Sequence, residues 1–475
     1  MDFMIYDLIF LAIFLVFTVT FLFRHRKNLK KEGLLFLYKT GVGVKIINKI
    51  GKKYKKLLNV LSYVSIIVGF ILMGIMIYLF GKIVWMYIFN SEAVKMIKLP
   101  PIAPLIPYLP QIFKLSFLPP FYFTYWIFIL AIVAISHEFS HGIFAINKNV
   151  KIKSTGFGFF PFFLPIFLAA FVELDEKKMT KKKISSQMAI LSAGTFANLI
   201  LAFLFFGIMA LFFSLSFAPA GITFDTYTYS AVGISAITSI NNMNVNNIGY
   251  NELLQISNKT GFTTVKAGES EFLTTYEFMK SQKDNGEYVI LYDNAPAIKA
   301  NLSSLIVKIN GVNILSRESL AEEISKYSPG DKVTVTTRMD DYDMDYQIVF
   351  GENPFNSTKA YLGIGFMERK NSGIIGTVMS WFTSFKDSNI YYTPKFGAAE
   401  FIYNLLWWLV MISFSVALVN MLPVGIFDGG RFFYLAILAL TKSEKKAHKA
   451  YKFLTYLFLA LVVVIMVFWA VRMFS

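Results

Sequence analysis

"AIVAISHEFSHGIFAI", residues 131–146, sets two histidines, a glutamate and two serines inside an apolar run long enough to lie in a membrane. On an α-helix His137 and His141 are four positions apart and share one face, so their imidazoles can converge on one ion. Glu138 is their neighbour. In H-E-x-x-H sites the two histidines bind Zn²⁺, while the glutamate, next to the metal without coordinating it, takes a proton from a water. An ionisable residue inside a span costs about 2.5–3.5 kcal/mol on the insertion scale, so three within five positions call for a compensating partner. A metal is the simplest compensator; helix packing that satisfies each polar group is the blander one. Ser136 and Ser140 read as bystanders, because a serine nucleophile needs a general base and the histidines are better explained as ligands.

The surroundings fit a membrane protein. Of the 475 residues 55% are hydrophobic, and mean hydropathy is +0.54. Soluble domains stay near about 45–50% apolar even when glycine is counted, so a polytopic membrane chain is implied. From about Asp225 to Lys395 the composition turns polar, which predicts one folded domain hung from the membrane core. There is no cysteine, which removes disulfides, Cys-zinc sites and thiol nucleophiles together. The net charge of +16 does not point to nucleic acid, because most Lys and Arg lie in short loops beside apolar spans.

Six stretches approach the roughly 20 apolar residues that a crossing helix needs: Met4 to Phe23, Val60 to Phe89, Phe121 to Ile146, Met188 to Phe217, Phe401 to about Val419, and Phe453 to Phe474. Basic clusters follow the first ("RHRKNLKK", "KKYKK"), third ("KKMTKKK") and fifth ("TKSEKKAHK"). The positive-inside rule then puts odd-numbered spans ending in the cytoplasm, with both termini and the polar domain outside. The first span lacks a basic leader and a small-residue cleavage site, so it reads as an uncleaved anchor.

Two stretches break the helical pattern. "LPPIAPLIPYLPQIFKLSFLPPFY", residues 99–122, is apolar but dense in proline, which predicts an interfacial or re-entrant loop. "GFGFFPFFLPIFLAAFVELDEKK", Gly156 to Lys178, is nearly span-length yet carries glycines and two prolines. It reads as a partly extended segment dipping toward a site, since such backbone is tolerated at membrane depth only where protein or a wet cavity receives it.

A zinc site needs a third protein ligand, leaving one position open. The remaining histidines, His25 and His448, sit in basic loops, so the ligand is a carboxylate drawn from Glu173, Asp175, Glu176 and Asp428. Depth favours Asp428. From Phe121 to His137 is about 24 Å at 1.5 Å per residue, toward the cytoplasmic end, and the parallel fifth span reaches a similar depth at "NMLPVGIFDGGRFF". There Pro423 breaks the helix and glycines permit close backbone approach.

Together "HEFSH", "SAGTFANLILA" and "NMLPVGIFDGG" resemble the motifs of the site-2 proteases, intramembrane zinc metalloproteases, over about Phe121 to Leu435; the last carries their N-x-x-P-x(4)-D-G pattern at Asn420, Pro423, Asp428 and Gly429. The resemblance implies Zn²⁺ held by His137, His141 and Asp428, with Glu138 as catalytic base. It also implies that Gly156 to Glu173 is a re-entrant β segment whose edge pairs with an unwound substrate. Asn198, Asn420, Pro423 and Gly429 are the expected substrate-binding positions, although an amide such as Asn198 also serves as interhelical glue. The first two spans lie outside this core and receive no role.

In the polar domain, residues 295–339 resemble a PDZ domain: a short strand, a helix from near Arg317, then "SPGDKVTVTT" as turn and strand, with "YLGIGF" (361–366) closing the sheet. "ISAITSINNMNVNNI" (234–248) echoes "SSLIVKINGVNI" (303–314), which suggests a second, degenerate unit.

The expected molecule is an α-helical polytopic membrane protein with an inserted extracytoplasmic β-rich PDZ-like domain. Its divisions are 1–98 (two spans and a basic loop), 99–120 (proline-rich loop), 121–217 (first catalytic part), 221–285 (degenerate PDZ-like unit), 286–370 (PDZ-like domain), 371–400 (linker) and 401–475 (second catalytic part). Its expected activity is zinc endopeptidase cleavage of transmembrane substrates near the cytoplasmic side of the cell membrane. Its partners are such substrates, extended peptides at the PDZ-like domain and the bilayer, with no nucleic acid. The alternatives are a peptide-binding receptor or scaffold with a non-catalytic metal, and, less well supported, a transporter.

Overall fold

Each of the six expected spans is a single helix in the computed structural model. The structure describes residues 3–32, 35–90, 105–159, 168–282, 286–339, 342–367 and 383–474, with positions 100, 376 and 380. The chain divides into two compact units, 1–212 with 400–475, and 213–399.

The first unit carries helices α1 (Phe3–Arg24), α2 (Val44–Lys53), α3 (Lys55–Phe89), α4 (Phe123–Asn147), α5 (Ile184–Ser216), α6 (Ala399–Val419), α7 (Asp428–Thr441) and α8 (Glu444–Phe474). All but α2 and α7 are long and apolar enough to cross a membrane. Residues of α3, α4, α5 and α7 share one buried cluster that includes Leu72, Phe144, Ile190 and Phe432. Close approach is possible because small residues line the seams: a Cβ on Gly69 of α3 would stand 3.1 Å from the Phe432 ring, and Ser65 meets Ser192 at 3.2 Å.

The second span, α3, shares this cluster, and the first is tied to α4. Asp7 of α1 is 1% exposed and accepts from Phe123 N at 2.7 Å, Thr124 N at 2.9 Å, Thr124 Oγ1 at 2.5 Å and Tyr108 Oη at 2.6 Å. Those two backbone N–H groups are orphans of the first turn of α4, so a carboxylate from another helix caps α4 within an apolar setting.

The basic stretch after α1 is not a plain loop. Strands β1 (Leu29–Glu32) and β2 (Leu35–Thr40) form a hairpin, and β2 pairs with β3 (Ile152–Phe159), which pairs with β4 (Leu168–Leu174). All contacts in this four-stranded sheet are antiparallel. Gly156 makes the packing possible, since any Cβ there would overlap Tyr38 O and lie 2.7 Å from the Phe171 ring. The extended character expected for Gly156 to Glu173 thus holds at both ends; residues 160–167 lie outside the described residues, as do 99 and 101–104 of the proline-rich loop. α2 lays Ile47, fully buried, against Gly142 of α4.

The second unit holds two six-stranded sheets. One runs Tyr229–Gly233, Tyr288–Asp293, Ser270–Thr274, Thr263–Ala267, Ile237–Ile240, Met243–Asn244; the other runs Tyr342–Val349, Lys332–Met339, Leu305–Ile309, Phe217–Thr223, Ile390–Pro394, with Val312–Asn313 beside Leu305–Ile309. The internal echo is structural. Ile240 pairs with Met243 as Ile309 pairs with Val312, around turns whose central residues Asn241 and Asn242, or Asn310 and Gly311, all have positive φ, as a tight hairpin requires. Asn241 Oδ1 accepts from Thr264 N at 3.1 Å, as Asn310 Oδ1 accepts from Thr334 N at 2.8 Å. A helix follows each hairpin, Tyr250–Ile256 and Arg317–Ile324.

Pairing crosses the expected division at 285/286 in both directions. Tyr288–Asp293 joins the earlier sheet through Ser270–Thr274, and Phe217–Thr223 joins the later one through Leu305–Ile309. The stretch 371–400 is not only a linker, since Ile390–Pro394 pairs with Phe217–Thr223. "YLGIGF" does not close a sheet as one strand: Tyr361 ends a hairpin with Gly351–Asn353, and Ile364–Gly365 pairs with Thr226–Tyr227. Gly363 lies between them at φ 86°, a left-handed turn that reverses the chain.

Candidate metal centre

α4 presents His137 and His141 on one face, and both rings are buried. α6 ends at Val419; a tight turn over 420–427 follows, and α7 starts at Asp428. Asp428 therefore stands at a helix N-terminus, where the unpaired N–H groups favour a carboxylate. The turn closes through Gly429 N to Asn420 O at 2.7 Å. A Cβ on Gly429 would overlap the Met421 carbonyl, and one on Gly430 would overlap Val424 O, so both glycines are needed for this turn to sit on α7.

Asp428 Oδ2 lies 3.2 Å from His137 Nε2 and 3.2 Å from His141 Nε2, and the two Nε2 atoms are 3.0 Å apart. One ligand atom from each residue falls within 4.8 Å of the others. Three lone-pair atoms this close repel unless a cation lies among them. A proton relieves one pair, whereas a metal ion relieves all three. The far sides of the rings agree. His141 Nδ1 meets Ile190 O at 2.6 Å; a carbonyl only accepts, so Nδ1 carries the hydrogen and Nε2 keeps its lone pair. His137 Nδ1 lies 3.0 Å from the Asn198 amide, whose buried Oδ1 has no partner with Nδ2 turned to the ring. Rotating that amide by half a turn lets Oδ1 accept from Nδ1–H and again frees Nε2. The residues fit a metal bound by two imidazoles and one carboxylate.

The other candidate carboxylates are engaged elsewhere. Glu173 meets Ser154 Oγ at 2.6 Å and Lys39 Nζ at 2.9 Å, and Ser154 first, then Lys39, hold its carboxyl below the usual range. Asp175 caps the following turn through Lys178 N. Glu176 forms a two-pronged pair with Arg431 at 2.9 and 3.2 Å.

A cavity of about 700 Å³ opens on the centre, lined by His137, Glu138, His141, Asp428, Asn420 and residues of β4 including Ala170 and Val172. Glu138 Oε2 accepts from Val172 N at 3.0 Å. β4 is an end strand, and among the described residues its second edge meets no other strand.

Of the four positions expected to touch substrate, Asn420 lines the cavity. Asn198 is fully buried behind His137, and Pro423 and Gly429 are buried in the turn that carries Asp428. These three shape the site rather than form its wall. Sequence reading missed Gly194, where a Cβ would lie 2.6 Å from His137 Nε2 and closer still to His141 Nε2. Its signal was the run of small residues in "SAGTFAN", part of the second family-like motif, in which Asn198 alone was singled out.

Comparison with known proteins agrees with this geometry. An uncharacterized protein of Methanocaldococcus jannaschii is 32% identical over 198 residues, 41% of this chain and 48% of that protein, so the match spans about half of the relative's length. The profile of peptidase family M50 matches residues 125–465, from the second residue-pair of α4 through most of α8. The chain belongs to peptidase family M50, the site-2 protease-type membrane metallopeptidases.

Proposed function

We propose that the protein is an intramembrane zinc endopeptidase that cuts a transmembrane segment of another membrane protein. The observation that carries this reading is one cavity holding the two histidines, Asp428, Glu138 and the edge of β4 that meets no other strand among the described residues. Zinc bound by His137, His141 and Asp428 would supply Lewis-acid polarisation of a scissile carbonyl and a readily deprotonated water. Glu138 serves as general base, taking the water's proton and returning it to the leaving amine.

Substrate engagement and base release are one event in this reading. Glu138 rests on Val172 N–H, the kind of edge group an added strand needs. An unwound substrate pairing with β4 takes that N–H, frees the carboxylate and lays its own backbone beside the metal. Asn420, whose amide borders the cavity, holds the incoming peptide. The β-rich unit, PDZ-like in its repeated hairpin and helix, faces outside, and the centre lies toward the cytoplasm, as the basic loops suggest.

The test is cleavage of a synthetic transmembrane helix by the purified protein with metal analysis alongside. Glu138→Gln should abolish cleavage while one zinc per chain remains; retained cleavage overturns the assignment, and absence of zinc in the wild type favours the receptor reading.

A further inference from the structure

The second unit contains a cleft of about 1000 Å³, separate from the metal centre. Its chemistry is one-sided. Asp293 Oδ1 accepts only from Ser230 Oγ at 2.6 Å, and Glu271 Oε2 accepts from Asn294 Nδ2 at 2.6 Å. Buried Asn294 Oδ1 has no hydrogen-bond partner. No lysine or arginine lines the cleft, and neither carboxylate forms an ion pair among the described residues. Arg317, which stacks on the lining ring of Phe366 at 4.6 Å, is not itself a lining residue. The walls thus carry two carboxylates and no cationic side chain; the other polar groups that line the cleft are neutral hydroxyls and an amide.

Among the described residues the group of three His, Asp or Glu side chains able to share a metal is at the other centre, and this cleft has two carboxylates. The walls carry tyrosine and phenylalanine, including Tyr229, Phe272 and Tyr361, whose faces attract organic cations. At the rim Phe355 is 99% and Met367 50% exposed. Tyr229–Gly233 is an end strand of its sheet, and Tyr229 and Ser230 line the cleft. Such an edge accepts an extended peptide by main-chain pairing.

We propose that this cleft binds an extended peptide through an ammonium or guanidinium group, held by Asp293 and Glu271 with an apolar neighbour on Phe355 and Met367. The same carboxylates repel a C-terminal carboxylate, so a C-terminal tail is not the ligand. The cation is either a Lys or Arg side chain or a free α-amino group. This inference deepens the proposed function by naming what the outer unit selects, yet binding is measured without cleavage, so the two can fail separately.

The test uses the full-length protein in detergent and fluorescein-labelled peptides read by anisotropy. One is Gly-Ala-Leu-Lys-Val-Phe-Ala with an acetylated amino terminus and amidated carboxyl terminus. The second replaces Lys by Gln and leaves the amino terminus free, and the third replaces Lys by Glu with both ends blocked. Binding of the first identifies a side chain and binding of the second a chain terminus; either supports the proposal when the third binds at least about tenfold more weakly. Asp293→Asn with Glu271→Gln should remove that preference while the melting temperature and cleavage of a bare transmembrane helix stay unchanged. Should that variant fail to fold, raising salt from 0.05 to about 0.5 M must weaken binding to the wild type. Equal affinity for all three peptides, or a preference that survives both substitutions and high salt, overturns it.

Discussion

Asn198 stands behind His137, where it would act on a bound metal without touching it. With Oδ1 turned to the ring, its amide would hold the hydrogen on His137 Nδ1 and leave the lone pair of Nε2 for a metal. Asn198→Ala should therefore lower metal affinity about 10–100-fold while the helices stay folded, read by competition with a zinc-sensitive dye and by circular dichroism. Asn198→Asp, which keeps an acceptor, should lose less. Gly194→Ala acts by volume, because the new methyl overlaps both imidazoles; metal content should fall and cleavage with it. Glu138→Gln separates from both, since it should keep the metal and lose at least about 10²–10⁴ in kcat, the usual worth of a general base.

At the scale of elements, two contacts of α4 carry predictions: Glu138 on the edge of β4, and Asp7 at the first turn. Val172 N–H points away from β3 and onto Glu138. Proline is tolerated in an end strand where the N–H faces outward, so Val172→Pro should leave the sheet and the metal intact. It should nevertheless suppress cleavage, because the edge loses a donor for substrate; unchanged kcat/KM would show that substrate does not pair there. Asp7 is the second. Removing it strands two backbone donors at the start of α4 together with the Tyr108 hydroxyl. Asp7→Ala should cost about 2 kcal/mol or more of stability, visible as a lower melting temperature in detergent, and Asp7→Asn should recover part of it.

For the whole molecule, orientation is the open consequence of charge placement. The chain has no cysteine, so a single introduced thiol reports its own side of the membrane. An impermeant maleimide applied to intact cells should label Lys259→Cys, on the exposed surface of the β-rich unit. It should spare Lys181→Cys and Lys445→Cys, exposed in the basic segments, until the cells are opened. The reverse pattern would invert the assigned topology. Chelation belongs to this scale too: stripping the metal should abolish cleavage and lower the melting temperature, because the close approach of three lone-pair atoms then lacks its counter-charge. Added zinc should restore both.

Apolar length and local spacing by themselves determined the six spans, the two histidines with their glutamate, and the repeated Asn-centred hairpins, since a span needs only its own backbone bonds and an i, i+4 pair needs only one helix turn. Asp428 came within reach of sequence because the broken helix after Val419 limits how far it can travel. Other features depended on residues far apart in the chain. β2 joins β3 across more than a hundred positions, Asp7 caps a helix that begins at Phe123, and strands 217–223 and 288–293 exchange between sheets. Polar groups buried in apolar surroundings must find partners wherever the chain can bring them. No local pattern encodes which distant partner that is, so only the tertiary structure decided that the first span caps α4, that the hairpin after it extends the sheet of β4, and that Asn198 backs His137.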